Sequence, residues 1–345
     1  MTRPTIADIA DRVGVSKGAV SFALNGRPGV SVATRERILR AAAELNWRPH
    51  SAARALGGAR ADAVGLIIAR PARTLGVEPF FAQILSGLQA TLSAESIALH
   101  LLVVEDTDAE IEMYRRWTAE RRVDGVIMVD LLARDPRPAV LRQLGVPSVV
   151  LGGPGRHGLS SVWVDDRVAM LSIVDYLAAL GHRRIAHVAG LPGFQHTRRR
   201  IRALRDAADR VDLVETESLP TDFSDTEGAA TTRTLLSGPR PPSAIIYDSD
   251  VMAVAGLGVA TEMGVPVPAR LSIVAFDDSV LTRIVHPALT SLSRDTVALG
   301  GQVATELLAV IADPARTRSV QAPTPRLTVR ESTAPPSPAS LGSAQ

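Results

Sequence analysis

Lys17 is the only lysine among the 345 residues, and it opens a run, KGAVSFALN, built for touching another polymer rather than for making or breaking bonds. On a helix, Lys17, Gly18, Ala19, Ser21, Phe22 and Asn25 share a slender, polar side able to approach base edges in a major groove. Ser16, Ser21, Asn25, Ser31 and Thr34 are suited to phosphate oxygens. Patterns that would carry catalysis fail on context. Gly153 to Gly158 spells G-x-G-x-x-G after a strand-like run, but the next segment, SSVWVD, reads as another strand, so no helix N-terminus is available to hold a pyrophosphate. It reads as a glycine-rich turn between lobes. Asp165-Asp166 and Asp277-Asp278 are adjacent pairs, which on a strand point to opposite faces and cannot share acid/base work. No H-E-x-x-H, P-loop or G-x-S-x-G occurs, and the absence of cysteine excludes disulfides, thiolate metal sites and cysteine nucleophiles. The expectation is a binding protein: no enzyme, no metal, no cofactor.

The elements that must position the Lys17 face are short. Thr5 is a candidate N-cap with Asp8 near the positive end of the helix, and Ile6, Ile9, Ala10 and Val13 recur at helical spacing. Gly14 stands where that helix must stop and reverse. Ser16 caps the second helix, which turns Val15, Val20 and Ala23 onto the first, where Ala10 must stay small. This is a helix-turn-helix pattern, and taken alone it fits equally a helical hairpin with a solvated polar face. Residues 31–47 add a third helix, capped by Ser31, with Ile38, Leu39, Ala42 and Leu45 as its apolar stripe. Pro49 forbids continuation, and 50–56 form one more helix-capable stretch before Gly57-Gly58. Residues 1–60 hold ten Lys/Arg against four Asp/Glu, whereas the rest holds 28 against 32. A positive head on a mildly acidic body suits attraction to phosphate at one end, weakening steeply with salt.

From Asp62 the texture changes to apolar runs alternating with amphipathic helices. A first series contains 64–69, 97–105, 124–130 and 148–152, with helices over Phe80 to Ser93 and Ala109 to Arg122. A second contains 160–165, 183–190, 243–248 and 271–277 with helices between. This rhythm predicts two tandem α/β lobes with parallel sheets and a ligand cleft beyond the C-terminal strand ends. Phe80 and Phe81 lie just past the first strand, informative in a chain with 3% aromatics. An apolar content of 46% and mean hydropathy of +0.13 supply a large core. With neither a secretory leader nor a membrane-spanning run, the expected location is the cytoplasm. From Ala334 the Pro/Ser/Ala-rich tail reads as disordered.

Taken in order, TIADIADRVGVS, AVSFALNG, VSVATRERIL, LNWRP and AARAL resemble the headpiece of the LacI/GalR family of bacterial transcription regulators. GHRRIAHVAG, DSDVMAVAGLG, LSIVAFDDS and HPALTSLSRD are similar to that family's effector domain, itself like type I periplasmic sugar-binding proteins. The resemblance implies an all-α helix-turn-helix headpiece (1–48), a hinge (49–60), a two-lobed periplasmic-binding-protein-like effector and dimerisation domain (61–333) and a tail (334–345). It implies that the chain crosses between lobes several times and returns to the first near Ser291. Leu56 matches the hinge leucine that wedges into the minor groove; without the resemblance it would be a linker residue packing on the next domain. Thr5 and Ala53 complete the DNA-facing set. Arg200, Phe223 and Asp277 match effector-contacting positions, an arginine, an aromatic and an acid suited to a sugar's hydroxyls and C–H face. His196, Ser249 and Arg294 fall beside them, with Ser249 and Arg294 departing from the family's frequent asparagine and glutamine. The implied function is a homodimeric repressor on a near-palindromic operator, controlled by a sugar in the cleft, with no membrane partner. A sugar receptor without gene control is the alternative from another class.

Overall fold

The computed structural model describes residues 4–47, 60–70, 78–154 and 158–337, and the chain divides into two units, Met1–Ala61 and Asp62–Gln345. The first contains α1 (Ile6–Val13), α2 (Lys17–Leu24) and α3 (Val32–Glu44). Its core is Ile9, Ala10, Val13, Val20, Ala23, Ile38, Ala41 and Ala42. Gly14 ends α1 at φ 71°, a left-handed backbone that glycine adopts without steric cost, and its N–H bonds back to the Ala10 carbonyl. Leu39, expected on the buried stripe of α3, is 48% exposed. Ile38, Ala41, Ala42 and partly buried Leu45 make the inward face instead, at the i, i+3, i+4, i+7 spacing of one helical face, from which Leu39 is turned away. The expected hinge, with Ala53 and Leu56, lies outside the described residues apart from Arg60.

The second unit is two parallel-rich sheets. The first is built around β1 (Ala63–Ala69), β2 (Ala98–Val104), β3 (Gly125–Met128), β4 (Ser148–Leu151), β5 (Ser160–Trp163) and β11 (Ser319–Gln321), in the order β11-β5-β4-β3-β1-β2. The second has β6 (Arg184–Ala189), β7 (Glu215–Pro220), β8 (Ala244–Tyr247), β9 (Ser272–Ala275), β10 (Thr290–Ser293) and β12 (Arg326–Thr328), ordered β12-β10-β9-β8-β6-β7, with β12 antiparallel to β10. Helices α4 (Pro79–Ala94) and α12 (Thr296–Ala312) pack Ile84, Leu88, Leu92, Val303 and Leu307 on one face of the first sheet. On the other face, α5 (Thr107–Ala119) and α6 (Arg137–Leu144) bring Tyr114, Trp117 and Leu141. The second sheet lies between α9 (Asp225–Ser237) with α10 (Asp250–Glu262) and α7 (Asp166–Ala179) with α8 (Gln195–Arg210). Both faces of each sheet are therefore covered, which is why the central strands are continuous apolar runs.

Three sequence expectations change. β5, read as opening the second lobe, pairs in parallel with β4 through Val149, Val150 and Leu151, so it belongs to the first. Gly153 and Gly158 accordingly lie between two strands of one lobe, with residues 155–157 outside the described set. The return expected near Ser291 occurs later: Ser291 lies in β10, paired to β9 and β12, and the chain recrosses only with α12 and β11 before β12 brings it back. An apolar strand pattern states that a strand is buried but not against which sheet. The tail is held past its expected start, since the Ala334 N–H donates to Ser272 Oγ at 3.2 Å and its carbonyl accepts from His182 Nε2 at 3.0 Å.

Candidate functional site

The helix-turn-helix face is set by its caps. Asp8 N–H donates to Thr5 Oγ1, and Thr5 N–H and hydroxyl both donate to Asp8 Oδ2, at 2.6 and 2.7 Å, holding the Asp8 carboxyl below its usual range. Ser16 Oγ accepts from Ala19 N–H at 3.1 Å. Asn25 Nδ2 donates to the Ser21 carbonyl at 2.9 Å, and the Ser31 hydroxyl donates to Thr34 Oγ1 at 2.9 Å. Thr5, Ser16, Asn25 and Ser31 are thus engaged in ending or starting helices. Between them Lys17 and Gly18 are exposed, Ala19 and Ser21 half-buried, and Phe22 is 42% exposed. An exposed phenylalanine beside a lysine that makes no ion pair among the described residues is, on the second helix of this motif, a surface suited to a DNA groove.

In the second unit a cleft with a cavity volume of about 80 Å³ lies between the two sheets. Six of its charged groups sit just past the C-terminal end of a strand, while Glu78 precedes α4 and Arg200 lies within α8. Arg70 directly follows β1, Asp130 follows β3, Asp166 follows β5, Asp248 follows β8, Asp277 follows β9 and Arg294 follows β10. Parallel strands all point the same way, so their trailing residues converge on one edge.

The Arg70 guanidinium is the most enclosed. It makes a bidentate pair with Asp130 at 2.6 and 2.8 Å and reaches Glu78 at 2.8 Å. Its carbon lies 5.1, 5.1 and 4.7 Å from the ring centroids of Phe81, Phe194 and Phe223. Phe81 comes from the first lobe and the other two from the second, so one cation bridges both. Asp130 and Phe223 hold left-handed backbones, φ 53° and 70°, an arrangement unfavourable for such residues that concentrates at ligand sites. Phe223 lies flat on Gly190, where an added Cβ would come within 1.8 Å of its ring.

Arg200 is the centre of the opposite wall. It bonds Asp166 at 3.2 Å and Asp248 Oδ1 at 3.1 Å, over the ring of Phe276 at 3.8 Å. Asp248 also accepts from His187 Nε2 at 3.0 Å and Gly190 N–H at 2.9 Å, and these cations and donors hold its carboxyl far below the carboxylate range despite burial. Arg294 pairs with Asp277 and lies 5.2 Å from the Phe80 centroid, and its buried Nε has no acceptor among the described residues. Beside the cleft the lobes are tied by Gln195 N–H to the Leu131 carbonyl at 2.7 Å and Ala133 N–H to the Gly193 carbonyl at 3.0 Å.

The structure brings Phe80, Phe81, His196, Arg200, Phe223, Asp277 and Arg294 together in this cleft. Ser249 is not among them: it caps α10, its hydroxyl accepting from Met252 N–H at 3.3 Å, and the neighbouring Asp248 lines the cleft instead. A residue next to a strand end alternates in direction with its neighbour, and the cap geometry turns Ser249 inward. Phe81 and Phe223 line the site, but Arg70 covers them, leaving Phe80 as the more open ring. Sequence reasoning missed Arg70, Glu78, Asp130, Asp166 and Asp248. The signal was available, because Arg70, Asp130 and Asp248 each stand at the end of an apolar run (IIA-Arg70, MV-Asp130, IIY-Asp248), as Asp277, found through the resemblance, does after LSIVAF.

Burial among carboxylates pushes the Glu78 carboxyl up to about 7, Arg70 opposing, while burial pushes His196 down to about 4, Arg200 reinforcing. A carboxyl raised in the folded state binds its proton more tightly there than in the unfolded chain. Its stabilisation is therefore full below the unfolded value and is lost as pH rises from about 4.5 through about 7. Glu78→Gln is expected to melt like the wild type at the acid end of that window and above it at the alkaline end, by roughly 1–3 kcal/mol. Thermal melts at stepped pH check this; a constant offset would contradict it.

Among the described residues no helix is long and apolar enough to cross a membrane. Residues 5–50 match "Bacterial regulatory proteins, lacI family", and 174–333 match "Periplasmic binding protein-like domain". The chain is 33% identical over 307 residues to the HTH-type transcriptional regulator CelR of Thermobifida fusca, covering 88% of this chain and 90% of that one. Among solved structures it is similar to a transcriptional regulator CelR-cellobiose complex, with TM-score 0.72, 31% identity, and coverage of 96% and 100%. It is also similar to the lac repressor dimer bound to operator and the anti-inducer ONPF, with TM-score 0.83, 26% identity, and coverage of 96% and 100%.

Proposed function

The chain belongs to the LacI family of bacterial regulatory proteins and is a transcriptional regulator, and from that premise we propose that it is a homodimeric repressor whose grip on a near-palindromic operator is set by a sugar in the cleft. Two copies of an α2 face related by a two-fold axis read two half-sites of inverted sequence. Lys17, Gly18, Ala19 and Phe22 face the bases. Thr5, Ser16, Ser21, Asn25, Ser31 and Thr34 serve the phosphates, and Ala53 and Leu56 the hinge contact. The protein acts in the cytoplasm, where such DNA lies.

The observation that carries this reading is the cleft, where Asp277 and Arg294 at strand ends face Arg200 of α8, with a buried donor on Arg294 that has no acceptor among the described residues. A buried N–H without an acceptor costs roughly 1–3 kcal/mol, which a ligand oxygen would recover. The cellobiose complex of a relative supports a saccharide as that ligand. Phe80, His196 and the covered rings of Phe81 and Phe223 shape the pocket around it, and lobe closure on the sugar is coupled to operator affinity as a two-state change. The test is a melting-temperature screen of the full chain against sugars. One compound is expected to raise the midpoint and, at the same concentration, to change retention of a DNA fragment from beside the protein's own gene. A compound that raises the midpoint without any effect on DNA would overturn the coupling.

A further inference from the structure

Each cation of the cleft is already matched. Arg70 faces two carboxylates, Asp130 and Glu78, at 2.6 and 2.8 Å. Arg200 faces two more, Asp166 and Asp248, at 3.2 and 3.1 Å, and Arg294 is paired with Asp277. Among the described lining residues, five carboxylates therefore stand against three guanidiniums. Two further arginines beside the wall are also engaged: Arg199 bonds Asp166 at 2.8 Å and the Gly152 carbonyl, and Arg137 pairs with Glu110 and Asp135 while donating to the Asp130 carbonyl at 2.8 Å. The pairs are largely shielded from water, with Arg70, Glu78, Arg200 and Asp248 all less than 9% exposed. Screening by solvent is weak at such depth, so a second negative charge entering there meets a strong opposing field.

Resting on the reading of this cleft as the saccharide site, we propose that it is a charge filter, taking uncharged or amine-bearing sugars and rejecting uronates and sugar phosphates. A carboxylate or phosphate is held in proteins by a free guanidinium fork, and each guanidinium here already faces a carboxylate, Arg294 keeping only its Nε donor open. To bind, an acid would have to detach one arginine from its partner, leaving a buried carboxylate without its counter-charge. Hydroxyls and ammonium groups are donors, and the remaining lone pairs of Asp166, Asp277 and Glu78 are acceptors. The burial-raised Glu78 carboxyl points the same way, since the site already resists holding all of its own negative charge.

The experiment is calorimetric titration of the full chain with matched sets: glucose, glucosamine, glucuronate and glucose phosphate, the corresponding galactose set, and cellobiose and maltose as neutral disaccharides. A neutral or amine member is expected to bind at least about 100-fold more tightly than its own acid or phosphate, because juxtaposed like charges cost several kcal/mol. Asp277→Asn frees Arg294 and is expected to narrow that gap by about tenfold; Glu78→Gln, which leaves Arg70 with Asp130, takes its place if Asp277→Asn melts below the assay temperature. An acid binding as tightly as its neutral form overturns the filter while leaving the saccharide site standing. An unchanged gap in a folded variant also overturns it. Failure of every sugar, whatever its charge, removes the saccharide site and the filter with it.

Discussion

Arg200→Ala is expected to lower the stability of the second unit by about 3 kcal/mol and to remove the ligand response entirely. Arg200 is 6% exposed and holds two buried carboxylates, Asp166 and Asp248, at 3.2 and 3.1 Å. Taking away one partner of a buried pair strands the other, which costs more than the pair itself contributes. Two features limit the loss. Asp166 keeps Arg199 at 2.8 Å, and Asp248 keeps His187 and the Gly190 N–H. The expected value therefore lies at the lower end of the range for such substitutions. Urea unfolding followed at two wavelengths measures the stability change, and titration with the sugar that stabilises the wild type measures the response. Arg200→Lys restores the charge but not the fork, so it should recover stability in part and ligand response hardly at all.

Val20→Lys is expected to abolish preference for the operator while leaving ligand binding unchanged. Val20 is fully buried at the meeting point of α1, α2 and α3, in a core of eight small or branched residues. A unit this small has little stability in reserve, and an unpaired buried ammonium exceeds it. Specific binding should then fall to the level of non-specific binding, a loss of about a thousandfold or more. The cores of the second unit are assembled from its own residues, from Val64 onward, so its melting transition should be retained. Fluorescence anisotropy with operator and bulk duplex, beside a melting curve with and without sugar, separates the two outcomes. Loss of the ligand shift as well would mean that the units do not fold independently.

How far the chain could be read in advance depended on whether a signal was local. Caps and turn residues act within four positions, so Thr5, Gly14, Ser16 and Ser31 were legible as helix boundaries. The alternation of apolar strands with helices was equally plain. The assignment of strands to sheets was not, because β5 and β10 are short, hydroxyl-rich runs, SSVW and TSLS, whose patterns do not say whether a strand pairs back to the preceding one or opens a new sheet. Edge strand β7, ETESLP, carries no apolar alternation at all and does not stand out as a strand. In the cleft, the residues matching a known pattern were found, and Arg70 was not. Its importance comes from Asp130, Phe194 and Phe223, 60 to 153 positions away, which no window along the sequence brings together. Ser249 failed for the opposite reason: a local cap claimed the side chain that position alone would have sent into the pocket.

The most direct test is the affinity of the full chain for a duplex enriched from a random library, compared with bulk competitor at moderate ionic strength, with and without the stabilising sugar. The account predicts an enriched sequence with inverted half-sites, a preference of about a thousandfold or more, and a change of roughly 5–150-fold when the sugar is added. No enrichment of any sequence, or a preference indifferent to every sugar that binds, would contradict it.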